Sequence, residues 1–392
     1  MVRFVSLLLF FGSMLAAETT LVIPFFNRSK SASLDWIGEG IAESVKDALA
    51  SEGMLVLERE DRLEAYRRLS LRPGAELTHA SMLKLGVSVD AASVIYGYFE
   101  LLPPDGANPG SKGSLRITAR AIDIKHSQQG AAYSEVGALE DLATLEAHLG
   151  WQTLTALRPK GAPPEREFMQ ARPSVRLDAV ENYVRGLLAT SAEQRHHFFT
   201  QAARLDEHYS QPCFQLGKIY WEKKDYKVAA GWLDRVARTD PHYLEARFFL
   251  GLCRYLSGDA KGAEECFEQV AAVLPLNEVY NDLGAAQAQH QDYAAAAANF
   301  RKALGGDDTD PDFHFNLGVA LWRSGKYGEA AESFRAVLAR NSGDNEATVL
   351  LGRCLKNDGP RPGETRADGK PRLKTNYEES AFRQLQAELG KK

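Results

Sequence analysis

Three short stretches carry residue types that could do chemistry, but each lacks part of the pattern that its chemistry needs. Gly38-Glu39-Gly40 is similar to a phosphate-binding loop, yet no strand directly precedes it and the full glycine pattern is absent. Asp307 to Asp312 clusters carboxylates that could attract Ca²⁺, but it lacks the glycine and the distal glutamate of a calcium loop and is typical of a turn with a helix N-cap. His196-His197 has no acidic or thiol partner at metal-ligand spacing. The sequence therefore predicts no catalytic residue, no metal and no cofactor, and hence a protein that is not an enzyme.

The second half of the chain repeats about every 34 residues. A glycine recurs at steps of 31, 34, 33, 34 and 34 residues, at Gly186, Gly217, Gly251, Gly284, Gly318 and Gly352. Twelve residues after four of them stands an alanine, followed four residues later by a large apolar residue: Ala229 and Leu233, Ala263 and Phe267, Ala296 and Phe300, Ala330 and Phe334. We expect the alanine to meet the glycine where two helices cross, with the large side chain beside that contact. This period is the signature of stacked helix–turn–helix units, so residues from about 210 to 344 resemble tetratricopeptide repeats.

The resemblance implies a groove lined by the first helix of each unit. Counting from the glycine, aromatic residues seven apart recur on one helix face in three units, and Asn281 and Ala288 replace them in a fourth. The predicted groove residues are Phe214, Lys218, Trp221, Phe248, Tyr255, Asn281, Phe315, Trp322 and Arg353. Groove aromatics are good anchors for a peptide, although the same rings could instead pack against neighbouring repeats. If they bind a partner, Trp221→Ala and Trp322→Ala should weaken its capture without unfolding the protein.

The two ends of the repeat region, 175–357, depart from the pattern. The unit at Gly186 has Phe198 where the alanine should be. The helix expected at 345–357 is followed by a polar loop, 358–376, before a second amphipathic stretch. Ala381 and Leu385 reproduce the small–large pair there, so 377–390 is interpreted as a displaced second helix that caps the stack; the alternative is a disordered tail.

A different rhythm before the repeats predicts an α/β mixed-sheet domain, followed by an all-α tetratricopeptide solenoid. Strands and helices are expected in the order β-α-β-α-α-β-β-β-α over residues 18–157, with a proline-rich linker at 158–174. The stretches 21–49, with its Pro-Phe-Phe-Asn, and 96–130, with its strand ending in Ile-Asp, resemble TolB amino-terminal-like domains, which are related to the FlgO and CsgG envelope families. The resemblance implies a non-catalytic interaction or assembly module.

Composition and the N-terminus point to an exported globular protein. The formal net charge of −5, with 44% hydrophobic residues, argues against a nucleic-acid binder and against an extended disordered chain. Arg3, the apolar run from Phe4 and the small residues Ala16 and Ala17 predict a cleavable signal peptide at 1–17 and a periplasmic location without a membrane span; the alternative is that 1–17 is a retained anchor. The four cysteines, Cys213, Cys253, Cys266 and Cys354, lack metal-ligand spacing and are expected to be free thiols in repeat helices.

These features predict a non-catalytic adaptor that binds a protein or peptide in the groove of its repeats, in peripheral association with a bacterial envelope assembly. The alternative is a secretion or surface-assembly component that oligomerises through its first domain.

Overall fold

The computed structural model describes residues 19–29, 31–102, 113–172, 174–361, 369–378 and 381–385. The expected signal peptide, 1–17, lies outside these ranges. A mixed sheet with helices on both faces comes first, and a long series of antiparallel helix pairs follows it. Across the described ranges, no helix is both long enough and apolar enough to cross a bilayer.

The sheet of the first domain combines parallel and antiparallel pairing. Its strands are β1 (Thr20–Val22), β2 (Phe26–Asn27), β3 (Ser93–Leu102), β4 (Ser114–Asp123), β5 (Gln128–Gln129) and β6 (Tyr133–Ala138). Strands β1 and β2 both run parallel to β3, whereas β3 pairs antiparallel with β4, and β4 with β5 and β6. The second strand of the expected order, which follows the first helix, is reduced to a single bridge between Val56 and Thr20.

Helices cover both faces of this sheet because both faces carry apolar side chains. On one face α1 (Trp36–Ser51) and α4 (Leu142–Leu157) cover Ile95 and Phe99. On the other, α2 (Arg59–Arg68) and α3 (His79–Ser88) cover Val94 and Ile122. The sheet is therefore a central layer, as expected for a mixed α/β domain.

The proline-rich linker is docked rather than free. A short helix, α5 (Glu165–Gln170), lies within it and buries Phe168. The Arg172 guanidinium stacks over the Phe168 ring at 3.5 Å and pairs with Glu52 at 3.3 Å. The described part of the linker thus fixes the chain against the first domain.

The repeats form five helix pairs and a sixth first helix. The pairs are α6 (Leu177–Leu188) with α7 (Ala192–Leu205), α8 (Ser210–Glu222) with α9 (Tyr226–Leu233), α10 (Tyr243–Leu256) with α11 (Ala260–Ala271), α12 (Asn277–Gln289) with α13 (Tyr293–Gly306), and α14 (Pro311–Arg323) with α15 (Tyr327–Arg340). Helix α16 (Asn345–Leu355) follows. The first helix of each pair is called an A helix, and so is α16.

Large side chains lie closest to the glycines of the ladder. A Cβ added at Gly318 would lie 2.8 Å from the Phe334 ring, and one at Gly251 would lie 2.7 Å from Phe267. The ring four residues after the alanine therefore lies nearest to the glycine, and at Gly284 the Ala296 carbonyl oxygen is also close, 3.1 Å from an added Cβ. At Gly352 none of the described residues has an atom within 4 Å of such a Cβ.

Three A helices have a proline at or just before their first residue, but in only one of them does that proline lie inside the helix. Pro311 occupies the first turn of α14, and the Asp310 carboxylate accepts a hydrogen bond from the Asp312 amide at 2.8 Å, as an N-cap does. Pro241 and Pro275 instead precede the start of their helices.

The two predicted domains share one core. The largest apolar cluster runs from Phe99 and Leu149 in the first domain through Val184 and Phe199 to Leu250 in the repeats. Helix α1 packs against α6 at this junction. Beside it lie buried charged residues, among them Lys46, which pairs with Glu43 at 2.9 Å and with Glu58 at 3.0 Å.

Candidate functional site

The groove along the A helices is occupied by the chain's own C-terminal segment, here defined as residues 369–378 and 381–385. Gly369 donates its amide to Glu346 of α16 at 2.8 Å, and Tyr377 contacts Phe248 of α10. Between these points the segment is neither helix nor strand and crosses α14 and α12. It therefore runs along the groove from the last repeat towards the first domain.

Side-chain amides and a carboxylate hold the main chain of this segment. The Asn316 side chain accepts a hydrogen bond from the Arg372 amide at 2.7 Å and donates one to the Arg372 carbonyl at 2.8 Å. Asn281 donates to the same carbonyl at 2.9 Å, and the Lys374 amide donates to Asp282 at 2.8 Å. An asparagine offers one acceptor and two donors, so Asn316 satisfies both main-chain groups of one residue, as a neighbouring strand would.

The Arg372 side chain is held by carboxylates and by a ring. Its guanidinium forms a two-pronged pair with Asp344, at 2.7 and 3.1 Å, and reaches Asp312 at 3.3 Å. It also lies over the Phe315 ring at 3.6 Å from the centroid. Fork-like pairing with a carboxylate together with stacking on an aromatic face is specific to arginine. The hydrogen bond from Arg372 is the main cause that lowers the pKa of Asp344.

Lys374 extends the charged contact one step along the segment. Its ammonium lies 2.7 Å from Asp310 and 2.8 Å from Asp312. Burial alone would lower the pKa of Lys374, but the hydrogen bonds to these two carboxylates raise it. Asp312 therefore lies between the two cationic side chains and contacts both.

The far end of the segment contacts both halves of the molecule. The Tyr377 ring meets Phe248 edge-on, with 5.1 Å between centroids, and stacks on Phe382 at 4.5 Å. Phe382 is buried, and Arg383 pairs with Asp61 of α2 at 3.2 Å. The segment thus links the repeats to the first domain.

Comparison with protein-family models gives matches within the repeat region. The tetratricopeptide repeat model matches residues 214–274, 257–312, 281–346 and 315–358. Residues 214–358 are tetratricopeptide repeats. The match supports the resemblance drawn from the glycine period, whereas the TolB-like resemblance of the first domain has no such support. Comparison with curated proteins finds no match.

Part of this chain is similar to several solved structures. YrrB, described as a TPR protein with an unusual peptide-binding site, is 20% identical, and the alignment covers 43% of this chain and 86% of YrrB with a TM-score of 0.37. A MamA structure is 18% identical over 46% of this chain and 91% of MamA, with a TM-score of 0.36. MamA from Desulfovibrio magneticus RS-1 is 24% identical over 41% of this chain and 92% of its own, with a TM-score of 0.37.

Several of the predicted groove residues contact the chain that follows the repeats. Phe248, Asn281 and Phe315 touch the C-terminal segment as described above. The Trp322 indole N–H donates to the Asp358 carbonyl at 2.9 Å, and Arg353 donates to the Gly359 carbonyl. These five residues therefore come together along one tract of chain.

The other four predicted residues have local partners. Phe214 stacks on His242 at 4.6 Å, and Lys218 pairs with Glu245 at 3.6 Å. Trp221 packs against Tyr226 and Phe249, and Tyr255 is buried in the apolar cluster of the repeats. At these positions the alternative interpretation, packing between neighbouring repeats, describes the contacts.

Sequence reasoning missed the polar residues that bind the segment most directly. Asp282 and Asn316 each stand two residues before a ladder glycine, next to a predicted groove position, and both are fully buried. Polar residues two positions before the glycine in consecutive units, where other units have Val184, Phe249 and Leu350, were the available signal. The acidic stretch that includes Asp310 and Asp312 was assigned only to a turn, although a basic stretch follows later in the sequence.

The C-terminal stretch does not lie where the capping-helix interpretation placed it. Only 381–385 is helical among its described residues; Phe382 stacks on Tyr377, Arg383 pairs with Asp61, and Ala381 and Leu385 pack against the apolar cluster of the repeats. Beside the expected partner, Gly352 of α16, the described part of the chain places no atom within 4 Å of an added Cβ. The contacts that the structure describes therefore place this stretch in the groove and against the first domain.

The buried carboxyl group of Asp282 contacts the main chain of the C-terminal segment. Burial raises the pKa of Asp282 well above its usual value, although the Lys374 amide and Asn281 favour its ionised form. One Asp282 oxygen, Oδ2, is buried and has no hydrogen-bond partner among the described residues. Within the described ranges no group of three or more His, Cys, Asp or Glu side chains is arranged so that it could hold a metal ion. The site is built to hold main chain and cationic side chains.

Proposed function

We propose that this protein is a non-catalytic scaffold that binds an extended segment of a partner protein in the groove of its tetratricopeptide repeats. The observation that carries the proposal is the bonding of Asn316 to both main-chain groups of Arg372. Buried polar side chains that lack hydrogen-bond partners are costly. Asn281, Asp282 and Asn316 therefore require an extended chain or water in the groove. Hydrogen bonds to main chain provide affinity, while pockets for side chains provide specificity.

The test adds a labelled peptide to the full-length protein. The peptide has the sequence of residues 369–385, and the protein carries Arg372→Ala and Lys374→Ala so that its own segment is weakened. Fluorescence anisotropy should show saturable binding. Adding Asn281→Ala and Asn316→Ala should weaken it about tenfold or more, since lost hydrogen bonds to buried groups are worth about 1 kcal/mol each.

Asn182→Ala is the matched control, because the Asn182 amide bonds only to the Asp178 carbonyl within α6 among its described contacts. It should leave peptide binding unchanged. If the weakened protein is folded by circular dichroism and shows no saturable binding, the groove is not a peptide site.

The cellular setting is part of the same proposal. The signal-like N-terminus supports export to the periplasm, and the resemblance of residues 18–157 to TolB-like domains supports work beside envelope complexes. N-terminal sequencing of the protein expressed in a bacterium should begin near Glu18 in the periplasmic fraction. Recovery of the intact Met1 form from the cytoplasm would contradict export.

A further inference from the structure

We infer that the groove selects a partner segment with two cationic residues at positions i and i+2 and an aromatic residue at i+5, and that the chain's own C-terminal segment competes with it. This inference rests on the proposed function and specifies its ligand. In the resident segment these positions are Arg372, Lys374 and Tyr377.

The spacing follows from the extended conformation. Side chains two residues apart on an extended chain point to the same side. Arg372 and Lys374 both reach the carboxylates at the start of α14 and α16, while Leu373 between them packs against the apolar cluster of the repeats. A chain with its two cations adjacent would direct one of them away from the carboxylates.

The charge preference follows from the lining of the groove. Asp310, Asp312, Asp344 and Glu346 lie within 4 Å of the two cationic groups. Four carboxylates gathered in this way repel one another, and a cationic segment relieves that repulsion. A neutral segment would leave them facing each other, and an acidic segment would add to the repulsion.

The competition follows from covalent connection. A segment tethered to its own groove is present at an effective concentration of the order of millimolar for a short flexible connection. The connection between α16 and Gly369 spans only residues 356–368. A partner with the same contacts must therefore displace the segment, and binding to the unaltered chain is weaker than to a chain whose segment is disabled.

Three labelled peptides test the recognition pattern on the full-length R372A/K374A protein. One has the sequence of residues 369–385, the second has glutamine at the two cationic positions, and the third exchanges Leu373 with Lys374 so that the cations are adjacent. The first should bind at least tenfold more tightly than either of the others, and its affinity should fall more steeply with salt than that of the glutamine peptide.

Two protein variants provide the matched comparison. Asp344→Asn should remove most of the advantage of the first peptide over the glutamine peptide. Asp308→Asn should not, because the described contacts of Asp308, in the same acidic loop, are made by its main-chain carbonyl. The protein without substitutions should bind the first peptide at least tenfold more weakly than R372A/K374A does.

The outcomes separate the two proposals. If all three peptides bind R372A/K374A equally, the recognition pattern is wrong while the groove remains a peptide site. If the unaltered chain binds as tightly as R372A/K374A, the competition is wrong. If no peptide binds any folded form, the proposed function fails as well.

Discussion

At the scale of single residues, Trp322 shows how burial changes the meaning of a groove aromatic. Its side chain is 1% exposed, and its indole donates to the Asp358 carbonyl. Such a residue belongs to the core of the repeats as much as to the groove. The expectation that Trp322→Ala would weaken binding and leave the fold intact therefore does not agree with its position.

We predict that Trp322→Ala lowers the free energy of unfolding by about 3–5 kcal/mol, because truncation of a large buried ring leaves a cavity. Urea denaturation followed by circular dichroism measures the loss. Trp221→Ala, at a partly exposed ring, should cost clearly less, and Trp322→Phe should recover most of the stability. A loss below about 1 kcal/mol in Trp322→Ala would show that the ring is dispensable to the core.

Part of the groove could be predicted from the sequence because the repeat period fixes which helix faces align. Asn281, Phe248 and Phe315 follow from that register and do contact the C-terminal segment. The pairing of Asn316 with Arg372 joins residues 56 apart, and no periodic pattern relates them. Contacts of this kind depend on where a non-repeating chain settles, which local spacing does not determine.

At the scale of helices, the glycine ladder sets how closely each pair approaches. The sequence predicted the close contact with the alanine and the large side chain beside it, and the ring four residues after the alanine proves to be the nearest neighbour of the glycine. The period reports which positions are small or large, but the directions of the side chains decide which of them meet. The same limit applied to the C-terminal stretch, where a small–large pair was not sufficient to define a second helix.

We predict opposite results for alanine at two ladder glycines. Gly318→Ala should lower the free energy of unfolding by about 1–3 kcal/mol, because the new Cβ would lie 2.8 Å from the Phe334 ring. Gly352→Ala should raise it by about 0.5–1 kcal/mol, since its Cβ enters open space and alanine favours the helix. Urea denaturation of both variants provides the comparison, and equal effects would contradict the packing described here.

At the scale of the whole molecule, the junction between the first domain and the repeats contains buried titratable groups. Burial raises the pKa of Glu146 to about 8 and that of Asp240 to about 6. Burial would lower the pKa of His242, yet its bond to Glu245 and the nearby Asp240 raise it to about 9. All three groups hold protons more tightly in the folded protein than in the unfolded chain, so stability falls as pH rises through these values.

We predict that the free energy of unfolding decreases between pH 5 and pH 8, and that Glu146→Gln makes this dependence shallower. One group that keeps its proton only in the folded state contributes a slope of about 1.4 kcal/mol per pH unit. Glutamine removes the titration while keeping a similar shape. Urea midpoints across this range measure the slope. Glu140→Gln, at an exposed carboxylate, is the control, and identical slopes for the two variants would refute the role of Glu146.

The ion pair between Arg383 and Asp61 anchors the C-terminal segment to the first domain, outside the repeats. Because one tract of chain contacts both halves, anything that loosens it at one end lowers the free energy needed to detach it at the other. Thermodynamic linkage makes this effect reciprocal. A molecule that binds the first domain around Asp61 and a peptide that binds in the groove would consequently change each other's affinity by the same factor. The two would do so without touching each other.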